Sequence, residues 1–230
     1  MLLALDTSAG ASTALISHKD TDDLGQILAQ WSTDAPNTHA EVLAPAVQEV
    51  LGEVGATGEQ ISGVVVGVGP GPFTGLRVGL ALGHALAEGW GKPLHGICSL
   101  DSLALRAVDA GVEGEFLVAT DARRREVYWA AYEHDEDGSR LIQGPFVGPA
   151  AELPQLPAVG AGVGLYPEQL QVVELPGEDP SSWTPHAAEL GRLAQGALAG
   201  ELNGVLCEPR PLYLRESDAK VPAQMKKSGT

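Results

Sequence analysis

The run Gly67-Val68-Gly69-Pro70-Gly71-Pro72-Phe73-Thr74-Gly75-Leu76-Arg77 is where this chain's residue types come nearest to chemistry. Four glycines permit positive φ or close backbone approach. Two prolines stiffen the loop, and Thr74 suits a helix cap. Backbone N–H groups opening a helix, with Arg77 in its first turn, suit an anion. Yet no Gly-Lys-Ser/Thr ends the loop, and GxGxxG is not in frame. A rigid structural turn is the competing reading.

Other constellations fare worse. The six histidines are His18, His39, His84, His95, His134 and His186, and no two stand four apart on a helix. A helix-borne metal site needs ligands on one face, whereas His39 has Leu43 at that spacing. No metal ligands and no catalytic residue are therefore assigned. There is no GxSxG, and neither Cys98 nor Cys207 lies in a CxxC pair or a nucleophile context. Arg123-Arg124-Arg125 reads as a solvated hairpin edge. Gly160-Ala161-Gly162-Val163-Gly164 reads as a loop. Asp6-Thr7-Ser8 and Asp121 each close a short apolar run, a place where Asx turns are favoured.

Elements that would position these residues follow from hydrophobic period. Leu2–Leu5, Ser12–Ser17 and Gln26–Trp31 read as strands of a meander, with a polar turn over His18–Gly25. Thr38-His39-Ala40-Glu41 has the capping-box pattern. Val42, Leu43, Ala46, Val47 and Val50 follow at helical spacing, with a kink expected at Pro45. Val64–Val66 is a buried strand, Thr74–Gly89 a helix, Leu94–Cys98 a strand and Leu100–Ala110 a helix. Strands recur at Phe116–Thr120 and Glu126–Tyr132, with a turn at Asp135–Gly138. Elements in Gly144–Pro180 are short. Pro185–Leu198 reads as a helix with Pro185 in its first turn. No internal repeat shows at a period of 20–50 residues.

The second helix carries Gly75, Gly79, Gly83 and Ala87 every four residues, a nearly bare stripe. Each interior glycine costs ~1 kcal/mol against alanine, so the stripe implies a close approach by something. Its own sheet and a foreign helix are both open readings. On the second, the interface comprises His39, Val42, Leu43, Ala46 and Val50 of the first helix. Gly75, Leu76, Gly79, Leu80, Gly83 and Ala87 of the second complete it.

Composition sets the bounds. The chain has 230 residues, 44% apolar and 5% aromatic, so a core of small and aliphatic side chains is expected. Thirty acidic against 14 basic residues give a net charge of -16. That surface repels phosphate backbones and lacks the usual electrostatic term of nucleic-acid binding. Two isolated cysteines fit a reducing cytosol. Met1–Leu5 lacks a basic leader and stops at Asp6, so no signal peptide is expected; no apolar run approaches the ~18 residues of a membrane span. A soluble, cytoplasmic protein is expected.

The order βββ-α-β-α-β-α, followed by a second set beginning with strands, resembles the repeating unit of the actin, sugar-kinase and Hsp70 superfamily. The implied fold is α/β, an actin-like ATPase (ASKHA) fold of two lobes, each a mixed sheet flanked by helices. Residues 1–111 form the first lobe, joined by the returning segment 185–215; residues 112–184 form the second; 216–230 are a flexible tail. In that superfamily the turns after the first strands can hold metal-bound phosphate, which makes Asp6, Thr7 and Asp121 candidate cofactor-binding residues.

Several segments are similar to the TsaB family, also called YeaZ. They are Leu3-Ala4-Leu5-Asp6-Thr7-Ser8, Thr38-His39 with Leu43-Ala44-Pro45, and Gly69-Pro70-Gly71-Pro72-Phe73-Thr74-Gly75-Leu76-Arg77. Asp121-Ala122-Arg123 with Glu126-Val127-Tyr128-Trp129 and Pro211-Leu212-Tyr213-Leu214-Arg215 complete the match. The resemblance implies a non-catalytic scaffold or activator, a paralogue of the catalytic subunit TsaD. It implies pairing with TsaD through first-lobe helices, or with a second copy when TsaD is absent, and joining by the ATPase TsaE. The complex transfers threonylcarbamoyl to the adenosine beside the anticodon of tRNA, which this chain meets indirectly through its partners. No intrinsic cofactor is implied, and nucleotide only at the interface with TsaD. The alternatives are an autonomous ATP-dependent phosphotransferase using Asp6 and Asp121, and a glycoprotease-like metallopeptidase.

Overall fold

In a computed structural model of the chain, residues 1–18, 24–35, 39–136 and 138–215 are described. Thr38 of the expected capping box, part of the His18–Gly25 turn, Asp137 of the hairpin turn and the tail 216–230 lie outside these residues.

The first sheet begins with β1 (Leu2–Asp6), β2 (Ala11–Ile16) and β3 (Ile27–Thr33), an antiparallel meander. Two parallel strands follow, β4 (Gly63–Gly67) beside β1 and β5 (Leu94–Ile97) beside β4. The order is β11-β5-β4-β1-β2-β3, with β11 (Leu206–Cys207) antiparallel to β5 at the edge. Side chains alternate across the sheet because successive residues of a strand face opposite ways. Leu3, Leu5, Leu15, Val64 and Val66 therefore meet α1 (His39–Val54) and α2 (Phe73–Trp90). Leu2, Ala4, Ile16 and Val65 meet α5 (Ala187–Leu198) on the other face.

The second sheet repeats the pattern. Its meander is β6 (Gly114–Asp121), β7 (Val127–Asp135) and β8 (Gly138–Gly148). Beside β6 lie β9 (Pro157–Val159) and then β10 (Gln171–Val172), both parallel to their neighbours. The order β10-β9-β6-β7-β8 maps strand for strand onto β5-β4-β1-β2-β3. What differs is the crossovers: a single 3-10 turn at Ala150–Glu152 and the five-residue α4 (Ala161–Leu165) stand where the first unit has α1 and α2. The repeat spans about half the chain, beyond the short periods at which sequence self-similarity is sought.

The two units exchange helices. From α3 (Ser99–Asp109), Leu100, Leu103, Ala104 and Ala107 enter the second sheet's core with Phe116, Val118 and Tyr132. By contrast α5, which follows the second unit, seals the first sheet. Two starts differ from expectation. Phe73 opens α2 with Pro72 as cap, so Thr74 is already helical. Likewise His186 caps α5, leaving Pro185 just outside it. Helix α1 runs from His39 to Val54 with Pro45 inside it, on the exposed side. Gly160–Gly164 is not a plain loop but the cap and body of α4, packed so closely that a Cβ on Gly162 would lie 2.9 Å from the Ala119 backbone.

Candidate functional site

The β1–β2 turn holds Asp6 and Thr7, and the structure spends both inside the protein. Asp6 is 1% exposed. Its Oδ1 accepts from the Ser8 N–H at 2.8 Å and the Ser8 hydroxyl at 2.7 Å. Its Oδ2 accepts from the Ser99 hydroxyl at 2.6 Å. Ser99 in turn accepts from the Gly69 N–H at 3.1 Å, and its own N–H donates to the Gly69 carbonyl at 2.8 Å. The carboxylate occupies the space where a Cβ of residue 67 would stand, which is why glycine is needed there. Burial raises the Asp6 pKa, opposed by the Ser99 and Ser8 hydrogen bonds. Thus Asp6 joins β1, the Gly/Pro loop and the start of α3.

Thr7 acts on α2 in the same way. Its hydroxyl donates to the Gly75 carbonyl at 2.8 Å and accepts from the Gly79 N–H at 3.2 Å. Those two backbone groups are the i and i+4 partners of a helical turn, so the hydroxyl sits at the turn's own hydrogen bond. Only a helix without Cβ atoms at 75 and 79 admits it: a Cβ at Gly75 would lie 2.7 Å from the Thr7 carbonyl oxygen. One at Gly79 would fall inside 3.0 Å of the Thr7 hydroxyl.

Asp121 lies elsewhere. A cavity of about 210 Å³ opens between the lobes, lined by Ser8, Asp34, Pro72, Asp121, Arg123 and Thr184 among others. The Asp121 Oδ1 accepts from the Arg123 N–H at 2.7 Å, and the Arg123 guanidinium pairs with Oδ2 at 3.1 Å. Arg123, Arg124 and Arg125 turn the chain with φ of 60°, 57° and 65°. The two candidate carboxylates are not brought together: Asp121 faces the cleft, Asp6 does not. Asp6 forms an Asx turn with Ser8, and Thr7 is engaged by α2.

The Gly/Pro loop is likewise a structural turn. Its Gly69 N–H is given to Ser99, and Arg77 donates to the Tyr213 hydroxyl at 3.0 Å instead of facing the loop. Phe73 meets the Tyr213 ring edge-on at 4.6 Å. His84 lies 3.1 Å from the Pro209 carbonyl. Beyond Tyr213, Arg215 donates to the Ala122 carbonyl at 2.9 Å and pairs with Glu126. The segment from β11 to Arg215 therefore straps α2 to the second lobe's first hairpin. Nothing in its own sequence shows this pairing, which spans up to 136 residues.

The bare stripe is a correction. Gly75, Gly79, Gly83 and Ala87 all face inward, and a Cβ on Gly83 would fall well inside 3.0 Å of Val66 Cγ1 in β4. Leu76 and Leu80 on the same helix are buried, as are Leu43, Ala46 and Val50 of α1. These nine residues are core, because the amphipathic faces that carry the helical period meet their own sheet. Of the expected interface only His39 and Val42 reach the surface. His39 Nε2 lies 3.2 Å from the Ala9 carbonyl, a helix-start contact. Outward instead stand Phe73, Ala81 and Ala85, with Val78, Leu82 and Leu86 half-buried beside them.

Among the described residues, no three His, Cys, Asp or Glu side chains converge as metal ligands. Cys98 and Cys207 are free thiols, and burial pushes the Cys98 thiol upward in pKa, away from nucleophilic character. No helix among the described residues is long and apolar enough to cross a membrane.

Two units of one strand order, facing each other across a cleft and sharing exchanged helices, define an actin-like ATPase fold whose first-strand aspartate has been turned to structural use. Residues 33–175 match the family described as TsaD, tRNA N6-adenosine threonylcarbamoyltransferase. An uncharacterized protein of Mycobacterium tuberculosis is 40% identical over 220 residues, covering 95% of this chain and 93% of its own. The tRNA threonylcarbamoyladenosine biosynthesis protein TsaB of Haemophilus influenzae is 29% identical over 93% of both chains. YeaZ from Pseudomonas aeruginosa superposes with a TM-score of 0.75 at 30% identity, over 93% of this chain and 99% of that one. The chain belongs to the TsaB (YeaZ) family.

Proposed function

We propose that this chain acts in threonylcarbamoyladenosine biosynthesis as a non-catalytic scaffold or activator of TsaD, in a complex completed by TsaE. The observation that carries the reading is the fate of Asp6: the carboxylate best placed for phosphate chemistry is sealed beneath Gly67 by Ser8 and Ser99. A protein that has given this group to its own packing contributes surface, not turnover. The net charge of -16 argues that partners hold the tRNA. No intrinsic cofactor is required, and nucleotide enters only where TsaD abuts this chain. The complex would work in the cytoplasm.

The surface offered is the outward face of the first-lobe helices. Ala81 and Ala85 are small and exposed, flanked by half-buried Val78, Leu82 and Leu86 and by the Phe73–Tyr213 aromatic pair. Small residues let a second helix approach closely, and aromatic and arginine side chains are the usual anchors of such interfaces. The same face would pair two copies when TsaD is absent.

Reconstitution of tRNA modification with TsaD and TsaE, with and without this chain, is the direct test. Product should require the chain, while Ala81→Glu and Ala85→Glu should abolish capture of TsaD without unfolding the protein. Undiminished capture by both folded variants would remove the proposed face. Turnover of ATP by the isolated chain would remove the scaffold role.

A further inference from the structure

A second cavity, of about 490 Å³, lies where α3, α5, the β7–β8 hairpin and the loop after α5 meet. It shares no lining residue with the cleft between the lobes. Its walls are largely aliphatic, with Leu105 and Val108 from α3, Leu193 from α5 and Val205 from the loop. Polar residues interrupt them: Asp101, Tyr132, His134, Ser139, Arg140 and Asn203. The Asp101 carboxylate lines the cavity, and its Oδ1 accepts from the Tyr132 hydroxyl at 2.7 Å. His134 also lines it, and its buried Nδ1 has no hydrogen-bond partner among the described residues.

The electrostatics of Asp101 are unbalanced. Arg140 reaches the same cavity but is held by Glu133 and by Asp135 at 3.1 Å. Tyr132 supplies a neutral hydrogen bond and no charge. Burial accordingly raises the Asp101 pKa to about 6, with the Tyr132 hydrogen bond opposing. A carboxylate withdrawn from water without a counter-charge is costly to the protein. Structures keep such a group where a ligand completes it, and sites of this kind are apolar hollows with a few placed polar atoms.

We infer that this cavity is a binding site for a small organic cation, an amine carried on an apolar body, with the ammonium against Asp101 and the body among Leu105, Val108, Leu193 and Val205. An anionic ligand is disfavoured by Asp101, and a bare metal ion by the aliphatic walls. Because α3, α5 and the second sheet all border the cavity, an occupant would fasten the two lobes together.

The test uses the full chain and three probes of one shape: phenethylamine, phenethyl alcohol and hydrocinnamate, titrated at neutral pH by protein-observed NMR. The amine should bind at least about tenfold more tightly than the alcohol, and the acid least. Shifts should cluster on α3, α5 and the β7–β8 hairpin. Asp101→Asn should reduce amine affinity by about tenfold or more and leave the alcohol unchanged. Val205→Trp, in the loop at the cavity's edge, should block all three probes, and stands in if the first variant does not fold. Equal binding of the three probes, no binding by any of them, or an amine affinity indifferent to both substitutions would overturn the assignment.

Discussion

Gly83→Ala adds one methyl group to α2 at a place where helix preference and packing oppose each other. Alanine favours the helix by ~1 kcal/mol, but the new Cβ would press against Val66 Cγ1 well inside 3.0 Å. Val66 is fully buried in β4, so neither the strand nor the helix can give way freely. Overpacking of this kind costs about 1–3 kcal/mol. Two helical glycines supply the reference: Gly52 in α1 and Gly89 in α2 have nothing within 4 Å of a built Cβ. Alanine there should stabilise by up to ~1 kcal/mol. The propensity gain is common to all three positions, so Gly83→Ala should be less stable than either control by about 1–3 kcal/mol. Urea unfolding followed through tryptophan fluorescence measures this. In a Val66→Ala background the obstructing methyl is gone and the next atom of the valine, at 3.7 Å, is in ordinary contact. Gly83→Ala should then recover at least ~1 kcal/mol of the difference, a coupling that distant sites do not show. If Gly83→Ala stabilises the isolated chain as much as Gly52→Ala, or if the Val66 background changes nothing, the stripe is not sealed against its own sheet.

Two further outcomes follow from the buried polar groups. Asp101 has its pKa raised from 3.8 to about 6 by burial, so the folded state keeps a proton that the unfolded chain has released. The stability this confers is present at acidic pH and is lost as pH rises through about 6, by up to ~3 kcal/mol. Asp101→Asn should flatten that part of the urea midpoint against pH, and an unaltered slope would refute the cause. Ser99→Ala removes the donor to Asp6 and the acceptor for the Gly69 N–H. It should cost about 1–3 kcal/mol in urea unfolding, whereas a neutral result would show that Asp6 does not depend on Ser99.

Local signals rendered the first unit well and the second poorly, and the difference is physical. Strands such as Val64-Val65-Val66 and a long helix such as α2 carry enough apolar residues to fix their period. In the second unit β9 has three residues and β10 two, too few for any period, and Gly144-Pro145 inside β8 reads in sequence as a turn although the strand runs through it. β9 exists because β6 offers an edge to pair with, and β10 because β9 does, which is tertiary information. The site shows the same limit more sharply. A glycine stripe records that something comes close, not what comes close; here the answer is Thr7 and Val66, some 72 and 17 residues away. Asp-Thr-Ser at a strand end spells a phosphate grip or an Asx turn in the same letters. What decides is Ser99, which lies 93 residues on and reaches back to the carboxylate. The glycines at 67, 75 and 79 are then parts of one device: each clears the space that Asp6 or Thr7 fills. A phosphate grip needs its aspartate free to face the cleft, so this arrangement and that chemistry exclude each other at Asp6. Asp121, by contrast, faces the cleft and is held by its own turn.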